Sequence, residues 1–234
     1  PWSRREIKTM SPPVSPAGAV QGKRALFIPA LGGNIADAQY QAIVEKGLAK
    51  LGNLGLDIDV ALDDPTQFQP DIATQMMTSN LAARVRQMSV EAQQHLGPGL
   101  QSLLGEEEFK SDGVRLQTDA IDRSRTYDRL ERVLSNYDFV LTPTLTAPPP
   151  LADPNSDQSV TINGNKERIN KWWTHLSIAN LTGHPAISIP CGIDANDLPV
   201  GLHAIGGWDR DSDLVSLAFA SITCFDWTER RPVY

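Results

Sequence analysis

The sequence has few cysteines, no long hydrophobic run and a deficit of basic residues, and each scarcity excludes a class of protein. Cys191 and Cys224 are its only cysteines, too few for a disulfide framework and typical of a reducing compartment. No apolar run approaches the roughly 20 residues that a membrane-spanning helix needs. Lysine and arginine number 21 against 28 acidic residues, which argues against a nucleic-acid groove. We therefore predict a cytoplasmic protein that binds neither membrane nor nucleic acid.

Motifs that carry a nucleophile or a metal are also missing. The chain contains no Gly-Gly-Ser-Ser run and no Gly-x-Ser-x-Gly elbow. Its first residue, Pro1, cannot serve as an N-terminal nucleophile, and without an initiator methionine we expect the chain to begin partway through a longer protein. The four histidines match no metal-binding spacing. We predict no metal, no cofactor and no catalytic residue in this chain.

What is present is an alternation of strand-like and helix-like segments. Residues 24–28 form a short apolar run that predicts a buried strand. Apolar residues at helical spacing predict a helix over 35–51, with Asn34 as N-cap and Gly52 as C-cap. Residues 57–62 alternate polar and apolar side chains, as in a second strand. Such a strand–helix–strand unit predicts a parallel pair of strands.

The rest of the chain continues this alternation. The composition predicts helices over 72–88, 116–134, 170–181 and 212–223, and strands over 138–142, 186–190 and 200–206. We expect the three strands to be buried in one sheet, because their apolar runs are too continuous for a half-exposed hairpin. Residues 144–154 read as a proline-rich loop, and 153–166 as a polar, mobile segment. The fold class is therefore α/β, a mixed β-sheet flanked by helices, with residues 1–22 as an extended connector and 23–234 as part of a single domain.

Three segments follow one another in an order and spacing that a chance match would rarely produce. They are Tyr137–Thr144, which ends in a Pro-Thr turn, Asn180–Gly192, which contains Asn-x-x-Gly-x-Pro-Ala, and Leu198–Gly207, which contains Pro-Val-Gly-Leu. Together they resemble the C-terminal core of the amidase signature family, whose members hydrolyse or transfer amide bonds. The resemblance is clear over 130–234 and looser over 2–60. It implies that this chain is the C-terminal portion of an amidase signature fold.

The same residues have a structural interpretation that needs no family. Gly183 permits backbone angles that a Cβ would disfavour, and Pro185 and Pro190 fix the ends of a short strand. Asn180 can hydrogen-bond local backbone where a helix gives way to a loop. We favour this structural role over a catalytic one for Asn180.

The resemblance implies a catalytic apparatus that this chain does not contain. Family members use a lysine, a serine on a cis peptide and a nucleophilic serine, all from an upstream Gly/Ser-rich segment, and Lys166 and Lys171 have no such serines beside them. The implied partner is therefore an N-terminal half of the same amidase, in another chain or a missing segment, and the implied substrate is a small-molecule amide. The alternative is a non-catalytic amidase-like domain used for binding or assembly.

The substrate-binding residues that we predict follow a strand end or open a helix. Thr144 and Leu145 follow the predicted strand at 138–142, where loops of α/β sheets line ligand crevices. Trp172 and Trp173 begin the predicted helix, and His175 follows on the side of Trp172. In glutamine-using members of the family an acidic residue lies near the position of Trp173, so the resemblance implies a bulky or apolar amide. Trp172 has an equally good interpretation as a core residue, and a structural role is favoured for His175.

Overall fold

The computed structural model describes residues 19–97, 100, 112–150 and 159–225. Within these ranges the strands are β1 (Arg24–Phe27), β2 (Asp57–Val60), β3 (Phe139–Pro143), β4 (Ser159–Ile162), β5 (Asn165–Arg168), β6 (Ala186–Ile193) and β7 (Pro199–Gly206). The α-helices are α1 (Ala38–Asn53), α2 (Pro70–Arg86), α3 (Val90–Gln94), α4 (Gly113–Leu134), α5 (Thr174–Thr182) and α6 (Asp211–Phe225). Single 3-10 turns lie at Leu31–Gly33 and Ile169–Lys171. No helix of the described residues is long and apolar enough to cross a bilayer.

Five strands form one mixed sheet in the order β2-β1-β3-β7-β6. β1 runs parallel to both β2 and β3, which confirms the parallel pair predicted for the first strand–helix–strand unit. β7 runs antiparallel to β3 and to β6. The α/β class and the mixed sheet predicted from the sequence are therefore confirmed, and all three strands of the family-like segments lie next to one another.

The sheet separates two hydrophobic cores. Alternate strand residues such as Phe27 and Leu141 point to one face, where α1 and α6 cover them. Their neighbours, such as Val140, point to the other face, where helices α2, α4 and α5 supply Ile72, Leu130 and Ile178. Because side chains alternate along a strand, a strand covered on both faces reads as a continuous apolar run. This explains why β1 and β3 were recognisable from the sequence.

Residues 186–189 belong to the sheet as predicted, but the prediction that this strand is buried is wrong. β6 is the last strand of the five-stranded sheet, and its residues alternate between buried and exposed. Ile189 is buried against the face of α1 and α6, whereas Ala186 and Ser188 are exposed. The order of strands in a sheet depends on contacts between distant segments. The apolar composition of residues 186–190 therefore does not indicate that this strand lies at the end of the sheet.

The start of α1 also differs from the prediction. The helix begins at Ala38, with Asp37 as the N-cap and Leu54 at its C-terminus, in place of Asn34 and Gly52. The Asp37 carboxylate accepts hydrogen bonds from the backbone N–H groups of Gln39 and Asn163, both at 3.0 Å. The Asn34 side chain donates to the carbonyl of Gly32 instead. The bond from Asn163, which lies 126 residues from Asp37 along the chain, therefore helps to fix the start of α1. The local sequence around residue 37 does not indicate this contact.

The segment predicted to be polar and mobile contains a β-hairpin. β4 and β5 pair antiparallel around Asn163 and Gly164, both with positive φ. An Asn-Gly pair flanked by alternating residues is the usual sequence signal for such a hairpin, and that signal was present in the sequence. The part of this segment over 153–158 lies outside the described residues, as do residues 151–152 of the predicted proline-rich loop and residues 1–18 of the predicted connector.

Candidate functional site

The loop that leaves β3 is hydrogen-bonded to β7 and β6, the next two strands on one side of the sheet. The Thr144 N–H donates to the Gly201 carbonyl at 2.9 Å, and the Thr144 hydroxyl lies 2.7 Å from the hydroxyl of Ser188. A Cβ at Gly201 would lie 2.6 Å from Thr144 Oγ1, so this position requires glycine for a close approach. Thr144 and the half-buried Leu145 thus follow the carboxyl end of the central strand. Their role in lining a ligand crevice stays a prediction.

Trp172 packs beneath the hairpin. Its indole N–H donates to the Ala147 carbonyl at 2.8 Å, and the ring contacts a small core formed by Ala147, Val160 and Ile162. The hydrogen bond satisfies the one polar atom of a largely buried ring. The structure therefore gives Trp172 a packing contact, the core interpretation that the sequence left open.

His175 lies in the interior of the protein. Its Nδ1 is 2.9 Å from the Pro143 carbonyl and its Nε2 is 2.7 Å from the Asn34 carbonyl. Burial lowers the pKa of His175, and the two carbonyl groups oppose that shift. The ring thus joins the end of β3 to the 3-10 turn that precedes α1. It does not line the groove in which Trp173 lies.

Trp173, in contrast, lines an open groove between three helices. The residue precedes α5 and is half-buried, with its ring 6.2 Å from that of Trp172 in an edge-on arrangement. The groove measures about 440 Å³ and is lined by Ala73, Thr74, Met76, Met77, Asn80, Arg123, Trp173, Ser177, Asn180 and Leu181. A volume of this size is typical of small-molecule sites. Of the five residues predicted to bind substrate, Trp173 is the one that the structure places in this groove.

The polar residues of this groove were not recognised from the sequence as members of one site. Arg123 donates from Nε to the Leu181 carbonyl at 2.8 Å, and no described carboxylate lies within ion-pairing distance of it. Asn180 is exposed, and no bond of its side chain to a described residue is present. The two residues lie far apart in the chain, and only the packing of α4 against α5 brings them together.

One row of side chains has the composition of a nucleophile–histidine–acid arrangement. His184 Nδ1 is 2.9 Å from Thr182 Oγ1, and His184 Nε2 is 2.7 Å from Glu131 Oε1. However, the Thr182 hydroxyl donates its proton to the Ile178 carbonyl at 2.8 Å and is buried. A nucleophile must give its proton to the base, and the Thr182 hydroxyl gives its proton to a backbone carbonyl instead. We therefore assign Thr182, His184 and Glu131 a structural role.

The buried thiol of Cys191 is also unsuited to nucleophilic chemistry. Burial raises its pKa to about 12, and Sγ donates to the Val200 carbonyl at 3.4 Å. A thiol with such a pKa is protonated at neutral pH, and only the thiolate is a good nucleophile. Among the described residues no group of three or more His, Cys, Asp or Glu side chains is arranged to hold a metal ion.

Comparison with known proteins identifies relatives of this chain. The family model described as Amidase matches residues 16–215. Over 102 residues the chain is 32% identical to a glutamyl-tRNA(Gln) amidotransferase subunit of Bacillus thuringiensis (strain Al Hakam), a match that covers 43% of this chain and 19% of that protein. The chain thus matches a minor part of this relative.

Solved structures of similar fold are roughly twice as long as this chain. A bacterial aryl acylamidase of the amidase signature enzymes superposes with a TM-score of 0.77 at 20% identity, over 93% of this chain and 48% of that one. The 6-aminohexanoate cyclic dimer hydrolase, in a complex with its substrate, gives a TM-score of 0.71 at 16% identity, over 97% of this chain and 52% of that one. At these identities the similarity shows the fold.

Proposed function

Because the chain belongs to the amidase family, whose model matches residues 16–215, we propose that it is the C-terminal part of an amidase signature hydrolase that cleaves carbon–nitrogen amide bonds. The observation that carries this proposal is the superposition of 93% of the chain on 48% of an aryl acylamidase. In this proposal residues 23–234 are part of a single domain, to which they contribute the mixed sheet and one wall of the substrate pocket.

The partner that we propose is the N-terminal half of the same amidase. The Ser–cis-Ser–Lys triad would lie in that half, either in another chain or in another segment of a longer one. Two described side chains of nucleophile type support this division of labour, since the Thr182 hydroxyl donates to the Ile178 carbonyl and the Cys191 thiol to the Val200 carbonyl. Cys191 and Cys224 are free thiols, which is compatible with the cytoplasmic location that we propose.

The substrate that we propose is a bulky or apolar small-molecule amide. Trp173 would form its aromatic wall, because the ring is half-buried beside Met76 and Met77 in the groove. Thr144 and Leu145 would border the pocket where β3 ends. Trp172 and His175 would hold that border in place, through their bonds to the carbonyls of Ala147 and Pro143. The name of one structural relative, aryl acylamidase, is compatible with such a substrate.

Reconstitution tests the proposal. The chain alone should show no turnover of an anilide or of a simple ester, because no activated nucleophile can be assembled from its residues. Co-expression with a polypeptide that contains the Gly/Ser-rich segment should restore both amide hydrolysis and labelling by a serine-directed fluorophosphonate, with the label on the partner. Robust turnover by the chain alone would contradict the proposal. A stable complex without labelling or turnover would instead support the non-catalytic alternative.

In the reconstituted enzyme, Trp173→Ala should lower kcat/KM for a bulky aromatic amide more than for acetamide. The expected loss is about 1–3 kcal/mol of transition-state binding, typical of an apolar pocket contact. Trp173→Phe retains an aromatic wall and should lose less. Steady-state kinetics with the two substrates would measure the difference, and an equal loss for both would show that Trp173 acts only in packing.

A further inference from the structure

The groove between α2, α4 and α5 combines an apolar wall with one positive charge that has no acidic partner among the described residues. Arg123 is the only ionisable residue among its ten lining residues, in a protein whose formal charge is −7. On the same helix, Arg115 is paired with Asp119 and Arg125 with Asp122. Arg123 has no such neighbour among the described residues. We infer that the groove binds an apolar or aromatic molecule that carries a carboxylate.

The guanidinium of Arg123 is held in place while its terminal nitrogens stay available. Its Nε donates to the carbonyl of Leu181, which itself lines the groove. This bond restricts the side chain before any ligand arrives, so that less rotamer entropy is lost on binding. The two terminal nitrogens make no bond to the described residues, and their planar geometry matches the two oxygens of a carboxylate.

Asn180 supplies the second polar contact. It lines the same groove from α5 and is exposed, and its side chain makes no bond to a described residue. The three other polar residues of the lining are already engaged, because Ser177 donates to the Trp173 carbonyl, Thr74 to the Pro70 carbonyl and Asn80 to the Met76 carbonyl. One cation and one neutral amide suit a singly charged carboxylate better than a phosphate, which usually takes several donors.

The opposite wall fits the apolar part of the ligand. Met76 and Met77 of α2 face the groove together with Trp173. Thioether side chains adapt to apolar ligands of different shape and make favourable contacts with aromatic rings. If the groove is the substrate pocket, an interpretation that rests on the proposed function, the substrate is an amide whose apolar part carries a carboxylate.

Binding to the purified chain tests this inference. We expect 3-phenylpropanoate to bind at least about tenfold more tightly than the neutral 3-phenylpropanamide, since each tenfold step corresponds to about 1.4 kcal/mol. Isothermal titration calorimetry at low ionic strength would measure both affinities. Equal affinities, or no binding of either ligand, would overturn the inference.

Three variants locate the anion contact. Arg123→Met should abolish the preference for the carboxylate, whereas the matched control Arg125→Met, on the same helix but paired with Asp122, should leave it unchanged. Because Arg123 also bonds α5, its loss could affect folding, so Asn180→Asp provides an isosteric alternative at an exposed position. The added negative charge should weaken carboxylate binding about tenfold or more and leave amide binding nearly unchanged. Retention of the preference in both Arg123→Met and Asn180→Asp would place the anion elsewhere and contradict the inference.

The outcome is separable from the test of the proposed function. Ligand binding by this chain requires no partner, and hydrolysis by the reconstituted enzyme requires no carboxylate preference. Carboxylate-selective binding without hydrolysis would support the carboxylate-binding groove and contradict the proposed amidase function. Hydrolysis of neutral amides without selective binding would support the amidase function and contradict the carboxylate-binding groove.

Discussion

Phe139→Ala should lower the free energy of unfolding by about 3–5 kcal/mol, the usual cost of removing a fully buried aromatic ring. Phe139 is 1% exposed and begins β3, the central strand of the five-stranded sheet. It pairs with Ala25 of β1 and with Gly206 of β7, both too small to fill the space that its ring occupies. The resulting cavity would lie in the hydrophobic core between the sheet and helices α1 and α6. Urea denaturation followed by circular dichroism would measure the loss.

A matched control is available in the same chain. Phe219 lies on α6 and is 42% exposed, so that Phe219→Ala should cost about 1 kcal/mol or less, as substitutions at exposed positions usually do. Phe139→Leu, which keeps most of the buried volume, should lie between the two. If Phe139→Ala costs no more than Phe219→Ala, then β3 is not at the centre of the core and the sheet order is wrong.

Lowering the pH from 7 to 5 should reduce the free energy of unfolding by about 2 kcal/mol through His203 alone. Burial, reinforced by the nearby His175, lowers the pKa of His203 to about 4. In the unfolded chain the same ring has its ordinary pKa of about 6.5. The native state therefore binds fewer protons, so stability is fully present above pH 6.5 and is lost as the pH falls towards 4. Denaturation curves at several pH values would show this slope.

His203→Gln should flatten that slope. The variant removes the titrating group from β7 while keeping a side chain of similar length beside Thr142, whose hydroxyl is 3.5 Å from His203 Nδ1. His95→Gln, at an exposed position on the surface, serves as the control and should leave the slope as in the unmodified chain. An NMR titration of the native protein gives the pKa of His203 directly. A value near the ordinary histidine pKa of about 6.5 would contradict the expected acid sensitivity, whether or not the variant folds.

The fold was largely predictable because its central strands are short apolar runs interrupted by proline and glycine. Residues 24–28 and 138–142 are covered on both faces, so their composition alone indicates buried strands. β6 was misjudged because a strand at the end of a sheet can have the same composition with one face uncovered. The hairpin at Asn163 and Gly164, in contrast, has a local sequence signal, the Asn-Gly pair itself. The polarity of the surrounding residues nevertheless favoured the prediction of a mobile segment.

The candidate site was less predictable, because its parts come from three separate helices. Trp173 could be named from its place before the Asn180 motif, but the roles of Trp172 and His175 depended on what each ring would contact. Nothing in the sequence indicates the hairpin core under Trp172 or the two carbonyl groups that hold His175. Helical spacing shows which residues share a face of one helix, but not which helices are neighbours.

Composition and the local order of residues were sufficient for the α/β class, the family resemblance and the absence of a Gly/Ser-rich nucleophile segment. Three features instead required the folded chain: β6 ends the sheet, Asp37 starts α1, and Arg123 and Asn180 share one groove with Trp173. Each of these depends on contacts between residues far apart in the chain. The packing energy between distant helices and strands, and not local propensity, determines which of them become neighbours in the fold.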